Sequence, residues 1–158
     1  MPSLARRFAY NAWANRESLR SLGSGSGAVP DRAGALIAHL IAAERLWLGR
    51  LGQPEGDAGH PVWPSFTLEE SDAGLAGLAR AWPAILARFD PDGLDRAVTY
   101  TNTRGESHTS TAADIFEHLL LHAHYHRGQI AALLGRAGMT PAITDFIHWV
   151  RSGEPAPG

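Results

Sequence analysis

The chain is organised around one stretch, Glu117-His118-Leu119-Leu120-Leu121-His122-Ala123-His124-Tyr125-His126-Arg127-Gly128-Gln129. Four of the chain's eight histidines fall within it, and the apolar spacing from Ile115 to Leu134 predicts a helix. Because residues four apart stack on one helix face, His118, His122 and His126 form a column. Such a column indicates a metal site, an acid–base site or an accident of composition.

Within this helix, His122 and His126 are predicted to face the core. At about 100° per residue, both fall inside the arc of apolar side chains. His118 lies at the edge of that arc, and His124 lies on the far side. Two imidazoles four residues apart can bind one ion, as in helical zinc sites. Spacing alone leaves a metal site and a pair of hydrogen-bonded core histidines as equal alternatives.

Composition limits the classes of protein to which the chain can belong. The 158 residues suffice for one domain with a real core, and 44% apolar and 19% charged residues are typical of a soluble globular protein. A net charge of −2 predicts no nucleic-acid partner, and no basic run indicates a membrane partner. Neither a signal peptide nor a membrane-spanning run is visible, so we expect a cytoplasmic protein.

The chain contains no cysteine. Disulfides, thiolate metal sites and a cysteine nucleophile are therefore excluded together. Any metal ion must be held by histidine, aspartate or glutamate side chains. Any thiol that takes part in the chemistry must arrive with a substrate.

Periodicity predicts four amphipathic helices and one short hairpin. Apolar spacing indicates helices over residues 4–22, 31–51, 67–89 and 112–134. Pro83, inside the third pattern, predicts a kink or a break one turn earlier. Residues 98–102 and 107–110 are rich in β-formers on either side of Arg104-Gly105, which predicts the hairpin.

These elements favour an all-α fold, an up-down four-helix bundle with a small β-hairpin before the last long helix. The alternative, in which the hairpin joins a larger sheet, lacks strand signals elsewhere. We expect a single domain over residues 1–150 and a flexible tail over residues 151–158.

A third metal ligand should come from a facing helix, because ligands in helical bundles project inward. His39 is the only histidine in the first three predicted helices, although taken alone it fits a hydrogen-bonded core residue better. Glu44 is a candidate to hydrogen-bond a ligand or to act as a base. A solvated position on the helix face is the simpler interpretation of Glu44. Three histidines would leave coordination positions open, as in catalytic sites.

Four other residues have two interpretations each. Arg127 follows a candidate ligand and suits a substrate carboxylate, but its direction away from the column favours a structural salt bridge. His60 and His108 fit surface positions or the mouth of a cleft. Trp63 lies in a loop, where aromatic side chains often form pocket walls or interface anchors.

Several segments together resemble the DinB/YfiT-like superfamily. The most specific is His122-Ala123-His124-Tyr125-His126-Arg127-Gly128-Gln129-Ile130, in which a histidine precedes His-Arg-Gly-Gln by four residues. The segments 38–47 and 10–15 are similar to the family's second-helix and first-helix motifs. The hairpin and Asp145-Phe146-Ile147 also fit, so the resemblance covers nearly the whole chain.

This resemblance implies a four-helix bundle that holds a divalent metal ion through His39, His122 and His126. His118 and His124 have no ligand role in the motif. Members of the superfamily include thiol-dependent transferases and isomerases that use mycothiol, bacillithiol or glutathione, and some hydrolase-like proteins. Members are often homodimers. The implied cofactors are therefore a zinc, nickel or iron ion and a low-molecular-weight thiol as cosubstrate.

Two classes of function remain open. The first is a metal-dependent enzyme, either a thiol-dependent S-transferase or isomerase or a hydrolase, that acts on a small molecule. The second is a non-catalytic bundle in which the metal ion braces two helices and the surface acts as a stress-related binding or dimerisation module. The identity of the native metal does not follow from the ligands, because imidazole suits several transition metals.

Overall fold

In a computed structural model, the described residues are 3–24, 28–52, 61–89 and 93–157. They form five helices and one antiparallel hairpin: α1 (Leu4–Gly23), α2 (Asp31–Arg50), α3 (Leu68–Leu86), β1 (Ala97–Thr101), β2 (Ser107–Thr111), α4 (Ala112–Arg136) and α5 (Phe146–Arg151). The prediction of a mostly helical protein with a small hairpin before the last long helix is confirmed. None of the helices in these ranges combines the length and the apolarity that crossing a bilayer requires.

Local capping fixes where two of the long helices begin. The Thr67 side chain accepts a hydrogen bond from the Glu70 backbone N–H, and the Glu70 carboxylate accepts one from the Thr67 N–H. This capping box satisfies N–H groups that a helix start leaves without partners. Thr111 plays the same part at α4, where its hydroxyl oxygen accepts from the Asp114 N–H.

The four long helices share one apolar core. Helix α1 packs against α3 and α4, and α2 packs against the same two helices. Aromatic rings fill the centre: Phe8 lies 4.6 Å from Trp82 and 5.8 Å from Phe116, and Phe89 lies 5.3 Å from Phe116, centroid to centroid. Burial of this surface is the main favourable contribution to folding. It also holds α2 beside α4, which brings His39 to the histidine column.

Helix α3 is not broken before Pro83. It continues through the proline and ends at Leu86. Of the two predicted alternatives, the break one turn earlier is therefore wrong, and the kink stays a prediction. Trp82, Ile85 and Leu86 are all buried on the two sides of the proline, and their burial offsets the loss of one helical hydrogen bond.

The hairpin closes one end of the space between α2 and α4. Its strands pair with Val98 opposite Ser110 and Tyr100 opposite His108. The ring of Tyr100 meets the edge of Trp47 in α2, with centroids 4.8 Å apart. Strand β2 leads directly into α4, so the hairpin has a fixed position relative to the histidine column.

The end of the chain lies against α1. The Trp149 indole N–H donates to the Pro155 carbonyl oxygen at 3.0 Å, and Glu154 forms an ion pair with Arg6. These contacts are made by residues that were expected to form a flexible tail. The flexibility of residues 151–158 and the domain boundary at residue 150 stay predictions.

Candidate metal centre

Three histidines from two helices converge on one point. His39 projects from α2, and His122 and His126 project from successive turns of α4. The Nε2 atom of His122 lies 3.2 Å from Nε2 of His39 and 3.1 Å from Nε2 of His126. One ligand atom from each residue lies within 4.8 Å of the others. The three residues named from sequence are thus brought together.

These separations fit a shared metal ion. Two imidazole nitrogens at about 2.05 Å from one ion are about 2.9 Å apart at a right angle and about 3.3 Å apart at a tetrahedral angle. The two observed Nε2···Nε2 distances fall between these values. A hydrogen bond alone does not explain the arrangement, because a proton on Nε2 of His122 can serve only one neighbour. The donor set, three imidazoles and no thiolate, suits zinc, nickel, iron or copper.

Hydrogen bonds at the other ring nitrogens direct the lone pairs inward. The Nδ1–H of His39 has an acceptor in the Val62 carbonyl oxygen at 2.6 Å. The Nδ1–H of His126 has one in Oε1 of Gln129 at 2.8 Å. Because a neutral imidazole carries a single N–H, each bond leaves Nε2 as an unprotonated donor atom for a metal. Oxygen acceptors of this kind usually orient metal-bound histidines.

Trp63 and Arg32 cover one side of the cluster. The Trp63 indole is stacked on the His39 ring, with centroids 3.9 Å apart and planes at 8°. The Arg32 guanidinium in turn lies over the Trp63 ring, 4.4 Å from its centroid. Trp63 is still 45% exposed. A tryptophan from a loop therefore forms a wall of the site, one of the two roles predicted for it.

Burial and mutual repulsion disfavour the charged forms of His39 and His122. Burial, followed by repulsion from the neighbouring His126, His39 and His118, lowers the pKa of His122 to about 4. Burial also lowers the pKa of His39, against the hydrogen bond to Val62. Protonation of His39 and His122 is thus disfavoured near neutral pH, which leaves the lone pairs of these two imidazoles free for a metal ion.

We predict that the metal-free protein loses stability as the pH falls from 6.5 to about 4. His122 has a folded pKa of about 4 and an ordinary value of 6.5. In this window the unfolded chain binds more protons than the folded chain, so the free energy of unfolding rises with pH. The contribution of His122 to stability is fully present above pH 6.5. Urea unfolding in a chelator, at several pH values, measures this dependence. His122→Gln should have a flatter profile than the parent, and equal slopes in the two proteins would contradict the assignment.

Glu44 does not contact the cluster, which corrects both sequence interpretations of this residue. It is 4% exposed. Its carboxylate accepts hydrogen bonds from the Asn11 and Asn15 amides, each at 3.1 Å, and from the Trp82 indole N–H at 2.6 Å. It is therefore neither a solvated surface residue nor a partner of a ligand. Burial raises its pKa, while these three donors and the charge of Arg127 act in the opposite direction.

Arg127 points away from the histidines, as predicted, but it does not form the expected salt bridge among the described residues. Its Nη1 donates to Oδ1 of Asn11 at 2.7 Å and to Oδ1 of Asn15 at 2.8 Å. The two asparagines therefore connect the buried cation to the buried Glu44 carboxylate. Together with Trp82 of α3, this polar network ties all four long helices to one another.

The other histidines of the described residues lie outside the cluster. His118 and His124 are exposed, and His118 sits one turn before His122 with ring centroids 5.4 Å apart. His124 lines a cavity of about 350 Å³ on the opposite face of α4, which contains none of the three converging histidines. His108 is exposed on the hairpin beside Asn102. His60 lies outside the described residues.

Sequence reasoning did not assign Gln129 or Val62. Gln129 had a detectable signal, because a residue three positions after a helical ligand lies on the same face. Val62 had none, because its contribution is a backbone carbonyl in a loop.

One comparison with known proteins gave a match. The family model described as "DinB family" matches residues 4–155. Searches of curated proteins and of solved structures gave no match. The family match covers almost the entire chain, including all three converging histidines, and the chain therefore belongs to the DinB family.

Proposed function

We propose that His39, His122 and His126 hold one divalent metal ion and that the protein is a metal-dependent enzyme that acts on a small molecule. The convergence of three Nε2 atoms, with two of the rings oriented through Nδ1, is the observation that carries this proposal. Zinc, nickel and iron are the candidate ions. The four long helices are interpreted here as an up-down bundle around this centre.

The chemistry that such an ion supplies is Lewis-acid activation, which lowers the pKa of a water or a thiol. Three protein ligands leave coordination positions open, as in catalytic rather than structural sites. Val62 and Gln129 hold two of the imidazoles in the required tautomer. Trp63 shields one side of the cluster from water.

We propose a thiol-dependent S-transferase or isomerase, or alternatively a hydrolase, as the reaction class. The absence of cysteine fits both versions, and in the thiol version the reacting sulfur would come from a small cosubstrate. Apart from a small-molecule substrate, a second copy of the chain is the proposed partner. Leu121 and Tyr125, one turn apart on α4 and both largely exposed, are apolar side chains that such a contact would cover.

The second candidate function is a non-catalytic bundle that the metal ion stabilises. The position of the cluster favours it, because His39 belongs to α2 and the other two ligands belong to α4. An ion at this point would brace the two helices. Metal removal would then lower the melting temperature without loss of any turnover.

Turnover assays on metal-loaded and metal-stripped protein distinguish these functions. Each form is incubated with 1-chloro-2,4-dinitrobenzene and glutathione, bacillithiol or mycothiol, and with p-nitrophenyl acetate without a thiol. For a transferase, we expect conversion that needs both the metal and a thiol. A hydrolase needs the metal alone. Metal-dependent stabilisation without conversion would favour the non-catalytic bundle, and an unchanged melting temperature would contradict both.

A further inference from the structure

A second cavity lies beneath the hairpin, beside the metal centre. It has a volume of about 280 Å³. Helix α2, the hairpin and the first two turns of α4 contribute its walls. The lining residues are Trp47, Tyr100, Ser110, Asp114, Ile115 and His118.

His118 connects this cavity to the histidine cluster. On α4 it lies one turn before His122, and the two ring centroids are 5.4 Å apart. On its other side its ring meets Trp47, with centroids 5.8 Å apart. Helix α2 runs along the same line, since His39, Ala43 and Trp47 are spaced four residues apart and share one face. Ala43, whose side chain is small, is the residue between His39 and Trp47 on this face.

The distance between the two sites suits an extended small molecule. His39 and Trp47 are eight residues apart on α2, which corresponds to about 12 Å along the helix axis. A ligand with a polar head at the cluster and a tail of this length would reach the cavity. A shorter molecule would contact the cluster alone.

The walls of the cavity favour a flat apolar group. Trp47 and Tyr100 meet edge to face at 71°. The Arg50 guanidinium lies over both rings, 4.5 Å and 4.8 Å from their centroids, and donates to the Thr101 carbonyl oxygen at 2.7 Å. These contacts hold the two rings in place before any ligand arrives. Preorganised aromatic walls bind aromatic groups by area burial and by edge-to-face contact.

We propose that this cavity binds the aromatic tail of a substrate whose polar head lies at the His39, His122 and His126 cluster. The inference rests on the proposed metal-dependent function and adds the substrate class, a polar head joined to an aromatic tail. Ser110 lines the cavity, and its hydroxyl is 3.3 Å from the Tyr100 hydroxyl. A large side chain at position 110 would therefore fill the cavity.

A series of hydroxamates tests this inference without a turnover assay. The protein is loaded with cobalt(II), and the visible spectrum of the ion reports binding of acetohydroxamic acid and of ω-phenylalkyl hydroxamic acids with two to six methylenes. We expect at least one phenylalkyl compound to bind about 10-fold to 100-fold more tightly than acetohydroxamic acid, with an optimum in tail length. The position of that optimum measures the distance from the head to the cavity.

Two variants on one strand locate the tail. Ser110→Trp should abolish the gain from the phenyl group, whereas Thr109→Trp should retain it because Thr109 is exposed on the other face of β2. Equal affinities across the series in the parent protein would overturn the inference and leave the metal centre intact. A gain that survives Ser110→Trp would overturn it as well. Failure to bind cobalt would overturn the proposed function itself. The chain-length profile needs no variant, so it stands even if Ser110→Trp does not fold.

Discussion

Replacing His126 with alanine is expected to abolish stoichiometric metal binding, whereas the same replacement at His124 leaves one ion bound per chain. His126 contributes an Nε2 atom 3.1 Å from that of His122. Its removal leaves two imidazoles, one from each helix, and no third ligand from the described residues of the cluster. His124 lies only two positions earlier but faces the opposite side of α4. It is therefore a control in which the same type of side chain is removed from the same helix, on the face away from the cluster.

The loss of metal affinity should be smaller when a residue that orients a ligand is replaced than when a ligand itself is replaced. Gln129 orients His126 through a 2.8 Å hydrogen bond and supplies no donor atom of its own to the cluster. Gln129→Leu should weaken metal binding by about 10-fold to 100-fold, the usual cost of losing such a contact. Loss of the ligand in His126→Ala or His39→Ala should cost more. Elemental analysis after gel filtration and titration calorimetry with zinc or nickel measure both effects.

Thermal unfolding gives an independent readout of the same site. A metal at about 100 times its dissociation constant stabilises the folded state by about 2.7 kcal/mol. The parent protein and His124→Ala should therefore melt at a higher temperature when metal is added, and His126→Ala should not respond. Stoichiometric metal in His126→Ala would show that the ligand set is wrong.

Sequence alone predicts the features of this protein that depend on local spacing. The apolar period of α4 places His122 and His126 on the buried face, and the structure finds them there. Capping residues mark the starts of α3 and α4 because the hydrogen bonds join residues only three positions apart. The role of His39 required a facing helix, and family resemblance supplied the position that periodicity leaves open.

Features that depend on several helices at once were not predictable in the same way. Glu44 lies at the edge of the apolar stripe of α2, where a carboxylate usually meets water. Its burial depends on Asn11 and Asn15 from α1 and Trp82 from α3. The sequence of one helix does not determine how the neighbouring helices are rotated about their axes, and that rotation decides which of their side chains face Glu44. The asparagines, four residues apart on α1, were the available signal that polar groups enter the core.

Glu44→Leu is expected to destabilise the protein by about 3–5 kcal/mol, the usual cost of removing one partner of a buried charge pair. Both carboxylate oxygens accept hydrogen bonds, and the three described partners are all N–H donors. Leucine leaves these donors unsatisfied and removes the charge that balances Arg127, which is 3% exposed. Urea unfolding at pH 7, with a fixed excess of metal in every sample, gives the free energy.

Glu117→Leu is the matched control for this substitution. Glu117 pairs with Arg7 at the surface, and exposed ion pairs contribute about 0–1 kcal/mol. Similar losses in Glu44→Leu and Glu117→Leu would contradict a special role for the buried network. Metal content per folded chain should stay the same in Glu44→Leu, because Glu44 contacts none of the three histidines. A drop in metal content would show that Glu44 supports a metal ligand after all.

A double-mutant cycle separates the charge pair from the packing around it. Arg127→Met alone leaves Glu44 as an unbalanced buried carboxylate, so it should cost about as much as Glu44→Leu. The double variant Glu44→Leu/Arg127→Met removes both charges and leaves the two asparagines and the Trp82 indole N–H without their partners. Its loss should be smaller than the sum of the two single losses by about 1–3 kcal/mol. Strict additivity would mean that Asn11 and Asn15 screen the charges from each other, so that the network acts through hydrogen bonds alone.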